Sequence, residues 1–234
     1  MPEEDFDVQS LATYLHLTPA QVERMASRDQ LPGRRVAGQW RFSASDIHHW
    51  FEEKIGASDA SELQQVERVL EVGRPAGQQP LCGLLQPDRV FVPLQARTRN
   101  SAIDRLCGAA AEVGLLWDPD KMAEAIRNRE SLHTTALENG VALLHPRRPL
   151  PAIMAEPFLA LGITTSGIPF GGPRGVLTDL FFLIASGDEK SHLQTLARLS
   201  RLISSPEFPD RLRGCREGAA AWQVLRDSET GLES

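Results

Sequence analysis

Three short apolar runs in the second half of the chain restrict the folds that are open to it. They cover residues 141–144, 157–162 and 178–185 and contain almost no polar side chain. A strand with one wet face alternates polar and apolar residues, whereas a strand covered on both faces is apolar throughout. The runs therefore predict strands at the centre of a layered domain, with helices on the sheet faces.

Helical periodicity fills most of the chain around these runs. An extended piece, Arg89–Leu94, comes first, and apolar residues then recur at helical spacing. The predicted helices are Ser101–Val113, one from Asp118 or Pro119 to about Arg129, His192–Ile203, and Arg211–Leu225 with breaks. Strands that alternate with helices predict an α/β fold with a mixed sheet flanked by helices.

Residues 6–54 form a separate small unit. Asp7 or Ser10 is suited to cap a first helix, and Thr18 with Pro19 marks the start of a second one, Ala20–Arg28. Two short helices joined by a tight turn predict a helix-turn-helix. Ser45 is expected to cap a third helix.

A hairpin signal follows the two helices. The stretch Arg34–Ser43, RRVAGQWRFS, contains two extended pieces joined by Ala-Gly-Gln. This order of elements resembles the excisionase or MerR-like winged helix-turn-helix, with the GQWRF hairpin as its most specific part. The resemblance implies that the second helix enters the major groove of duplex DNA and that the hairpin contacts the backbone. The DNA-binding candidates are Gln21, Arg24, Arg28, Arg34, Arg35 and Arg41.

The local charge of this unit supports DNA binding. The whole chain carries a net charge of −6, which argues against coating of nucleic acid or anionic membrane in bulk. Residues 18–42 carry five arginines against two acidic residues, a local charge of +3. Such a patch is typical of a phosphate-facing surface. The alternative is a fold kept for protein contacts alone.

Residues 56–80 are predicted to be a linker with one short helix. Leu63, Val66 and Leu70 have a heptad-like spacing, which makes a homodimer one expected arrangement. The Pro/Gly-rich stretch 73–80 marks the boundary. The predicted domains are thus 1–55 and 81–234, joined by 56–80.

The stretch 127–148 contains the strongest candidate for chemistry. It passes from the end of a helix through a polar turn into an apolar strand, and ends at His145, followed by Pro146. The stretch resembles the phospho-acceptor segment of enzyme IIA domains of the fructose, mannitol and nitrogen-related class in the phosphotransferase system. The matching residues are Arg129, Glu130, Thr134, Thr135, Asn139, Gly140 and His145.

The resemblance implies phosphoryl transfer between histidines. His145 would accept the phosphoryl group from a histidine-containing phosphocarrier protein, His192 would donate a hydrogen bond to it, and Arg129 would be its cationic partner. His192 follows a helix start, where unpaired N–H groups favour an anion. No cofactor and no metal are implied.

The sequence departs from the family in the turn before His145. It has His133, Ala136 and Glu138 where the family has small residues, and Leu144 where the family has proline. Fewer glycines restrict the backbone conformations that expose N–H groups to phosphate, and Glu138 is expected to repel a phosphoryl group. Phosphorylation would then be slow, use an unusual donor or not occur. A metal site from His133, His145 and His192 is a further alternative.

Other common sites are not indicated. Cys82, Cys107 and Cys215 are odd in number and far apart, so they predict neither a disulfide framework nor a zinc site. The 171–175 loop lacks the Lys-Ser/Thr of a phosphate-binding loop and is expected to be a hairpin turn. The acidic start MPEEDFDV does not resemble a signal peptide, and no run is long enough to span a bilayer. We expect a cytoplasmic protein without a membrane partner.

Three hypotheses follow. The first is a DNA-binding regulator whose enzyme IIA-like domain senses the phosphotransferase system. The second is a histidine phosphotransferase whose N-terminal unit docks protein partners. The third is a scaffold that keeps both folds without phosphorylation.

Overall fold

The chain contains two compact units, Met1–Arg74 and Pro75–Ser234. The structure is a computed structural model and describes residues 5–15, 17–43, 46, 47, 50 and 80–232. Most of the predicted linker, 56–80, including its helix at 63–70, lies outside the described residues, so that its assignment remains a prediction. Among the described residues, no helix combines the length and apolar character that a membrane span needs.

The first unit begins with the predicted helix-turn-helix. Helix α1 spans Val8–Tyr14 and helix α2 spans Pro19–Ser27. Each starts with a reciprocal capping box, in which the caps Asp7 and Thr18 exchange hydrogen bonds with the third helical residue. The pKa of Asp7 is lowered, first of all by the hydrogen bond that it accepts from the Ser10 backbone N–H.

The predicted hairpin follows. Strands β1 (Arg34–Val36) and β2 (Gln39–Arg41) are antiparallel, with Arg34 opposite Arg41 and Arg35 opposite Trp40. Both turn residues have positive φ, 50° at Ala37 and 82° at Gly38. Two positive values in a two-residue turn match the right-handed twist of the strands.

A small core supports both motifs. Its fully buried side chains, Leu11, Val22, Phe42 and Ile47, come from the two helices, the end of the hairpin and the segment after it. The expected cap of the third helix, Ser45, lies outside the described residues. Helix α2 ends one residue earlier than predicted, because Arg28 is its C-terminal cap.

The second unit is a mixed sheet with helices around it. The sheet order is β3-β5-β6-β4, in which β3–β5 and β6–β4 are parallel and β5–β6 is antiparallel. The elements in chain order are α3 (Leu81–Leu84), β3 (Val90–Phe91), α4 (Arg99–Glu112), α5 (Pro119–Glu130), β4 (Val141–Leu144), β5 (Phe158–Ile168), β6 (Thr178–Ala185), α6 (Glu189–Ser204), α7 (Glu207–Arg213) and α8 (Gly218–Leu232). Single 3₁₀ turns lie at Pro87–Arg89, Pro151–Ile153 and Pro173–Gly175. This confirms the predicted fold class.

Two strand predictions need correction. Strand β5 runs to Ile168 and not to Gly162, with a register irregularity between Ile163 and Ile168. Its continuation was hidden because Thr165–Gly167 are polar or small and exposed. Only Val90–Phe91 of the predicted 89–94 strand pairs regularly, although the Leu94 N–H still donates to the Ile163 carbonyl at 2.7 Å.

The C-terminal helix prediction also changes. Instead of one helix over 211–225, α7 ends at Arg213 and α8 begins at Gly218. Close packing explains the glycine, since a Cβ there would lie 2.1 Å from the Pro87 carbonyl oxygen. Helix α8 can therefore cross the 87–89 turn at very short range.

Glu229 on α8 connects the two ends of this unit. It is 4% exposed, forms a 3.0 Å ion pair with Arg198 of α6, and accepts hydrogen bonds from the N–H groups of Leu81 (2.7 Å) and Cys82 (3.0 Å). Pro80 at the N-cap position of α3 provides no side-chain cap. The Glu229 carboxylate of α8, the last helix of this unit, therefore caps α3, its first helix.

We predict that Glu229→Ala lowers the free energy of unfolding of this unit by about 3–5 kcal/mol, the range for breaking a buried ion pair on one side. The change leaves the Arg198 guanidinium buried and α3 without its cap. Chemical denaturation of the full chain measures the loss. Asp227→Ala, an exposed acidic residue on the same helix, is the control and should cost no more than about 0.5 kcal/mol. Equal effects of the two changes would contradict the assignment.

Candidate functional site

His145 lies directly after strand β4 and is 2% exposed. Its Nδ1 is 2.8 Å from the carbonyl oxygen of Leu143. A carbonyl can only accept, so Nδ1 carries the hydrogen in this contact. In the neutral ring the lone pair then lies on Nε2.

His192 lies beside His145. The two ring centroids are 5.0 Å apart at an angle of 53°, and His192 is 4% exposed. The structure thus brings together the two histidines that the sequence predicted as a pair. Helix α6 begins at Glu189, three residues earlier than predicted, with Asp188 as its N-cap.

Ser186 is a site residue that the sequence reasoning missed. It follows strand β6, is 5% exposed, and its Oγ lies 3.3 Å from Nδ1 of His192. If the hydroxyl donates to Nδ1, the His192 hydrogen lies on Nε2. A serine at the end of an apolar run next to a helix cap was the available signal.

Arg129 and Glu130 end helix α5 and hold the loop that follows it. Arg129 is 6% exposed and its Nη1 donates to the His133 carbonyl at 3.0 Å. Glu130 is 3% exposed and accepts from both the N–H and the hydroxyl of Thr135. In this structure Arg129, which the resemblance implies as the cationic partner of a phosphoryl group, holds the backbone of the loop after α5.

The residues that depart from the family pattern lie at different positions around strand β4. Leu144 is a fully buried strand residue opposite Leu183, and Ala136 forms a bridge with Ala142. Glu138 is exposed, with its carboxylate 3.9 Å from Arg174. Glu138 precedes β4 and His145 follows it. The four residues of β4 make three steps of about 3.3 Å, so the two ends of the strand are about 10 Å apart. Screening over that distance weakens the repulsion that we expected from Glu138.

The metal alternative has no support in the described part of the chain. His133 is exposed, whereas His145 and His192 are buried. No group of three His, Cys, Asp or Glu side chains in that part has the arrangement to hold a metal ion.

The cysteines are not nucleophiles in this arrangement. All three are free thiols, and burial raises the pKa of Cys107 to about 12. Desolvation also raises the pKa values of Cys82 and Cys215. A thiol with a raised pKa stays protonated near neutral pH and is unreactive.

A charged cluster fixes the turn that leads into β4. Arg213 of α7 donates to both carboxylate oxygens of Asp179, each at 2.9 Å, and to the carbonyl of Asn139. The hydrogen bond to Asp179 is the main cause that raises the pKa of Arg213. The Asn139 side chain donates to the Ile203 carbonyl at 2.9 Å. These long-range contacts had no signal in the sequence.

The DNA-binding candidates of the first unit are not equivalent. The Gln21 side chain accepts hydrogen bonds from Thr18 in the cap of α2. Arg34 pairs with Asp5 at 2.6 Å, and the Arg41 guanidinium lies 3.8 Å from Asp7. The remaining candidates are Arg24 and Arg28, exposed at the end of α2, and Arg35.

Arg35 lies on the other face of the hairpin, with its guanidinium carbon 5.0 Å from the Trp40 ring centre. This face borders a cleft of about 540 Å³ between α2 and the hairpin, whose lining includes Asp7, Glu23, Ser27, Arg35 and Trp40. When Asp5 and Asp7 are counted, residues 5–42 carry five arginines against four acidic residues, a charge of +1. The local basic excess is therefore smaller than the 18–42 window indicated.

The second unit is a mixed α/β domain with two buried imidazoles side by side, His145 directly after strand β4 and His192 near the start of helix α6. Residues 83–228 match the family model described as phosphoenolpyruvate-dependent sugar phosphotransferase system, EIIA 2. The chain therefore belongs to this family. Residues 6–55 match the model of a helix-turn-helix domain, so the chain joins the two.

Relatives of the second unit support this assignment. The chain is 30% identical over 150 residues to the nitrogen regulatory protein of Bradyrhizobium diazoefficiens, covering 62% of this chain and 94% of that protein. It is 29% identical over 131 residues to the fructose-specific EIIABC component of the phosphotransferase system of Bacillus subtilis, covering 55% of this chain but only 20% of that protein.

Solved structures show the same fold. The crystal structure of the nitrogen regulatory protein IIA-Ntr from Neisseria meningitidis matches with a TM-score of 0.55 at 18% identity, over 62% of this chain and 97% of that one. Enzyme IIAMTL in its complex with phosphorylated enzyme IIBMTL from Escherichia coli matches with a TM-score of 0.54 at 19% identity, over 61% of this chain and 97% of that one.

We predict that Gly140→Ala destabilises the protein more than Gly114→Ala. Both glycines have positive φ, 80° and 79°. A Cβ at Gly140 would meet Arg213 Nη2 at 2.8 Å and the Leu177 carbonyl at 3.1 Å, whereas a Cβ at Gly114 meets nothing within 4 Å. Left-handed backbone costs each variant about 1–2 kcal/mol, and crowding adds about 1–3 kcal/mol at Gly140. Denaturation midpoints measure both, and equal losses would show that the turn is not packed as described.

Proposed function

We propose that this protein is a DNA-binding regulator whose enzyme IIA unit is phosphorylated on His145. The single observation that supports the acceptor role best is the contact of His145 Nδ1 with the Leu143 carbonyl. It leaves the lone pair on Nε2, while His192 lies 5.0 Å away between ring centroids. The phosphodonor is a histidine-containing phosphocarrier protein, and the exchange takes place in the cytoplasm, where DNA and phosphocarriers meet.

In the proposed transfer, Nε2 of His145 attacks the phosphorus of a phosphohistidine. The new N–P bond forms as the N–P bond on the donor breaks, and the donor imidazole keeps that electron pair. The protein contributes position and charge stabilisation. His192 stabilises the phosphoryl oxygens when its hydrogen is on Nε2, which is the tautomer that the Ser186 hydroxyl supports by donating to Nδ1.

Arg129 is the proposed cationic partner. Its guanidinium is buried next to the loop, where Nη1 donates to the His133 carbonyl. Its charge would offset that of a transferred phosphoryl group in a site that largely excludes water.

DNA binding is proposed for the first unit, on the helix-turn-helix match and the exposed Arg24, Arg28 and Arg35. Arg34 and Arg41 contribute less to the proposed DNA contact than the sequence alone indicated, because Asp5 and Asp7 offset their charge. A single small DNA-binding unit with few phosphate contacts binds DNA weakly, so a homodimer is the proposed arrangement for specific binding.

The second candidate function is a phosphocarrier whose N-terminal unit docks protein partners. The near-neutral balance of residues 5–42 favours it, since phosphate contact requires a net basic surface. The structure of enzyme IIAMTL with phosphorylated enzyme IIBMTL shows that such a domain contacts a phosphorylated partner in that system. The third candidate, a scaffold without phosphorylation, is the outcome if no carrier labels the protein.

We predict that a phosphorylated carrier protein adds one phosphoryl group to the wild-type chain and none to His145→Ala, because the variant lacks the nucleophile. Intact-mass measurement detects the addition. The group should be lost in acid and survive in base, as expected of a phosphoramidate. His192→Ala and Arg129→Ala should keep the label but slow its transfer by about 10²-fold, the scale for losing one oriented electrostatic partner. Labelling that persists in His145→Ala would overturn the assignment.

We predict that Arg35→Ala weakens binding to duplex DNA of any sequence and reduces the slope of log K against log salt concentration by about 0.9, the value for one phosphate contact. Fluorescence anisotropy with random duplexes between about 50 and 200 mM salt measures both quantities. Arg105→Ala, which removes an exposed arginine from helix α4 of the other unit, is the control with the same net charge. Equal slopes for both variants, or no salt-dependent binding by the wild type, would favour the docking function.

A further inference from the structure

Beyond the two histidines, the carboxylate of Glu130 is a buried polar group with several hydrogen-bond donors around it. It is 3% exposed, accepts from Arg99 Nη2 at 2.9 Å, and accepts from the Thr135 N–H at 3.1 Å and from the Thr135 hydroxyl. A buried carboxylate is stable only when paired and hydrogen-bonded. Two of its donors come from one loop residue, so the loop cannot move away without costing the carboxylate both of these hydrogen bonds.

The loop residue continues the chain of contacts toward the acceptor. The Thr135 carbonyl accepts from the Leu143 N–H at 3.4 Å, and the Leu143 carbonyl accepts from Nδ1 of His145 at 2.8 Å. Leu143 thus takes part in both hydrogen bonds, one through its N–H and one through its carbonyl. The series runs from Glu130 through Thr135 and Leu143 to the imidazole.

The position of β4 explains why this series sets the ring. Strand β4 lies at the edge of the described sheet, with β6 on one side and residues 135–137 on the other. The N–H and the carbonyl of one strand residue point to the same side. The Leu143 carbonyl therefore faces the loop side, and the imidazole of His145 satisfies it.

We propose that Glu130 is a positioning residue for His145. By fixing Thr135, its carboxylate fixes the edge of β4, orients the Leu143 carbonyl and holds His145 in the Nδ1–H tautomer. The lone pair then stays on Nε2. This inference deepens the proposed acceptor function and rests on it for its role in transfer, but the ring state can be measured without any phosphodonor.

The test is two-bond ¹H–¹⁵N correlation NMR of the full-length protein labelled with ¹⁵N-histidine, without phosphodonor. We expect wild-type His145 to show the Nδ1–H tautomer alone near neutral pH. Glu130→Gln keeps the volume but loses the charge and should give a mixture of tautomers. Glu124→Gln, an exposed acidic residue on the same helix, is the matched control and should give the wild-type spectrum.

A second variant keeps the test decisive if Glu130→Gln does not fold. Thr135→Val removes the hydroxyl donor at almost constant volume and should also give a mixture of tautomers. A folded Glu130→Gln or Thr135→Val protein that keeps His145 wholly in the wild-type tautomer would overturn the positioning role.

Transfer from a phosphorylated carrier gives an independent readout. Glu130→Gln should lower kcat by about 10- to 100-fold, the scale of a small misplacement, and leave KM for the carrier unchanged. A variant with wild-type kcat would overturn the proposal. If no carrier labels the wild type, the acceptor function fails, while the tautomer comparison still decides whether Glu130 positions the ring.

Discussion

Strand β4 is the constraint on which the site depends. Its four residues are buried, and they pair in parallel with β6 in the register Val141–Leu180 to Leu144–Leu183. On its other side, the backbone bonds to residues 135–137. With both sides bonded, the strand cannot slip, and a slip of one residue would turn each side chain to the opposite face. The end of the strand, and with it His145, is therefore held rigidly.

Much of this arrangement could be predicted from the sequence, because local signals and buried strands leave direct marks. The cap Thr18, the hairpin of the first unit and a strand in each of the three apolar runs form as predicted. Of the alternatives that the sequence left open, Asp7 and Asp118 are the caps. The pairing of His145 with His192 was predicted through the family resemblance. The predicted ends were wrong for elements that have no sequence signal at their ends. Strand β5 is an example, because polar residues continue its pairing with β6 beyond Gly162.

Contacts between distant residues left no such mark. Nothing in the local pattern connects Arg99 with Glu130, or Arg213 with Asp179, since each pair meets only after the helices pack. The surface charge of the first unit could not be predicted from the sequence for the same reason. A window of sequence counted Arg34 and Arg41 as basic surface, but the fold places Asp5 and Asp7 against them. Charge counted along a chain differs from charge counted on a surface.

The contact of Glu229 with the N–H groups of Leu81 and Cys82 brings the beginning and the end of the enzyme IIA unit to one place. The start of the unit's first helix and the end of its last helix are therefore adjacent. A unit with adjacent ends tolerates circular permutation and insertion into a host protein, because its fold does not depend on which end carries the connection. Adjacent ends suit a domain that occurs in fusions, and this chain joins it to a helix-turn-helix.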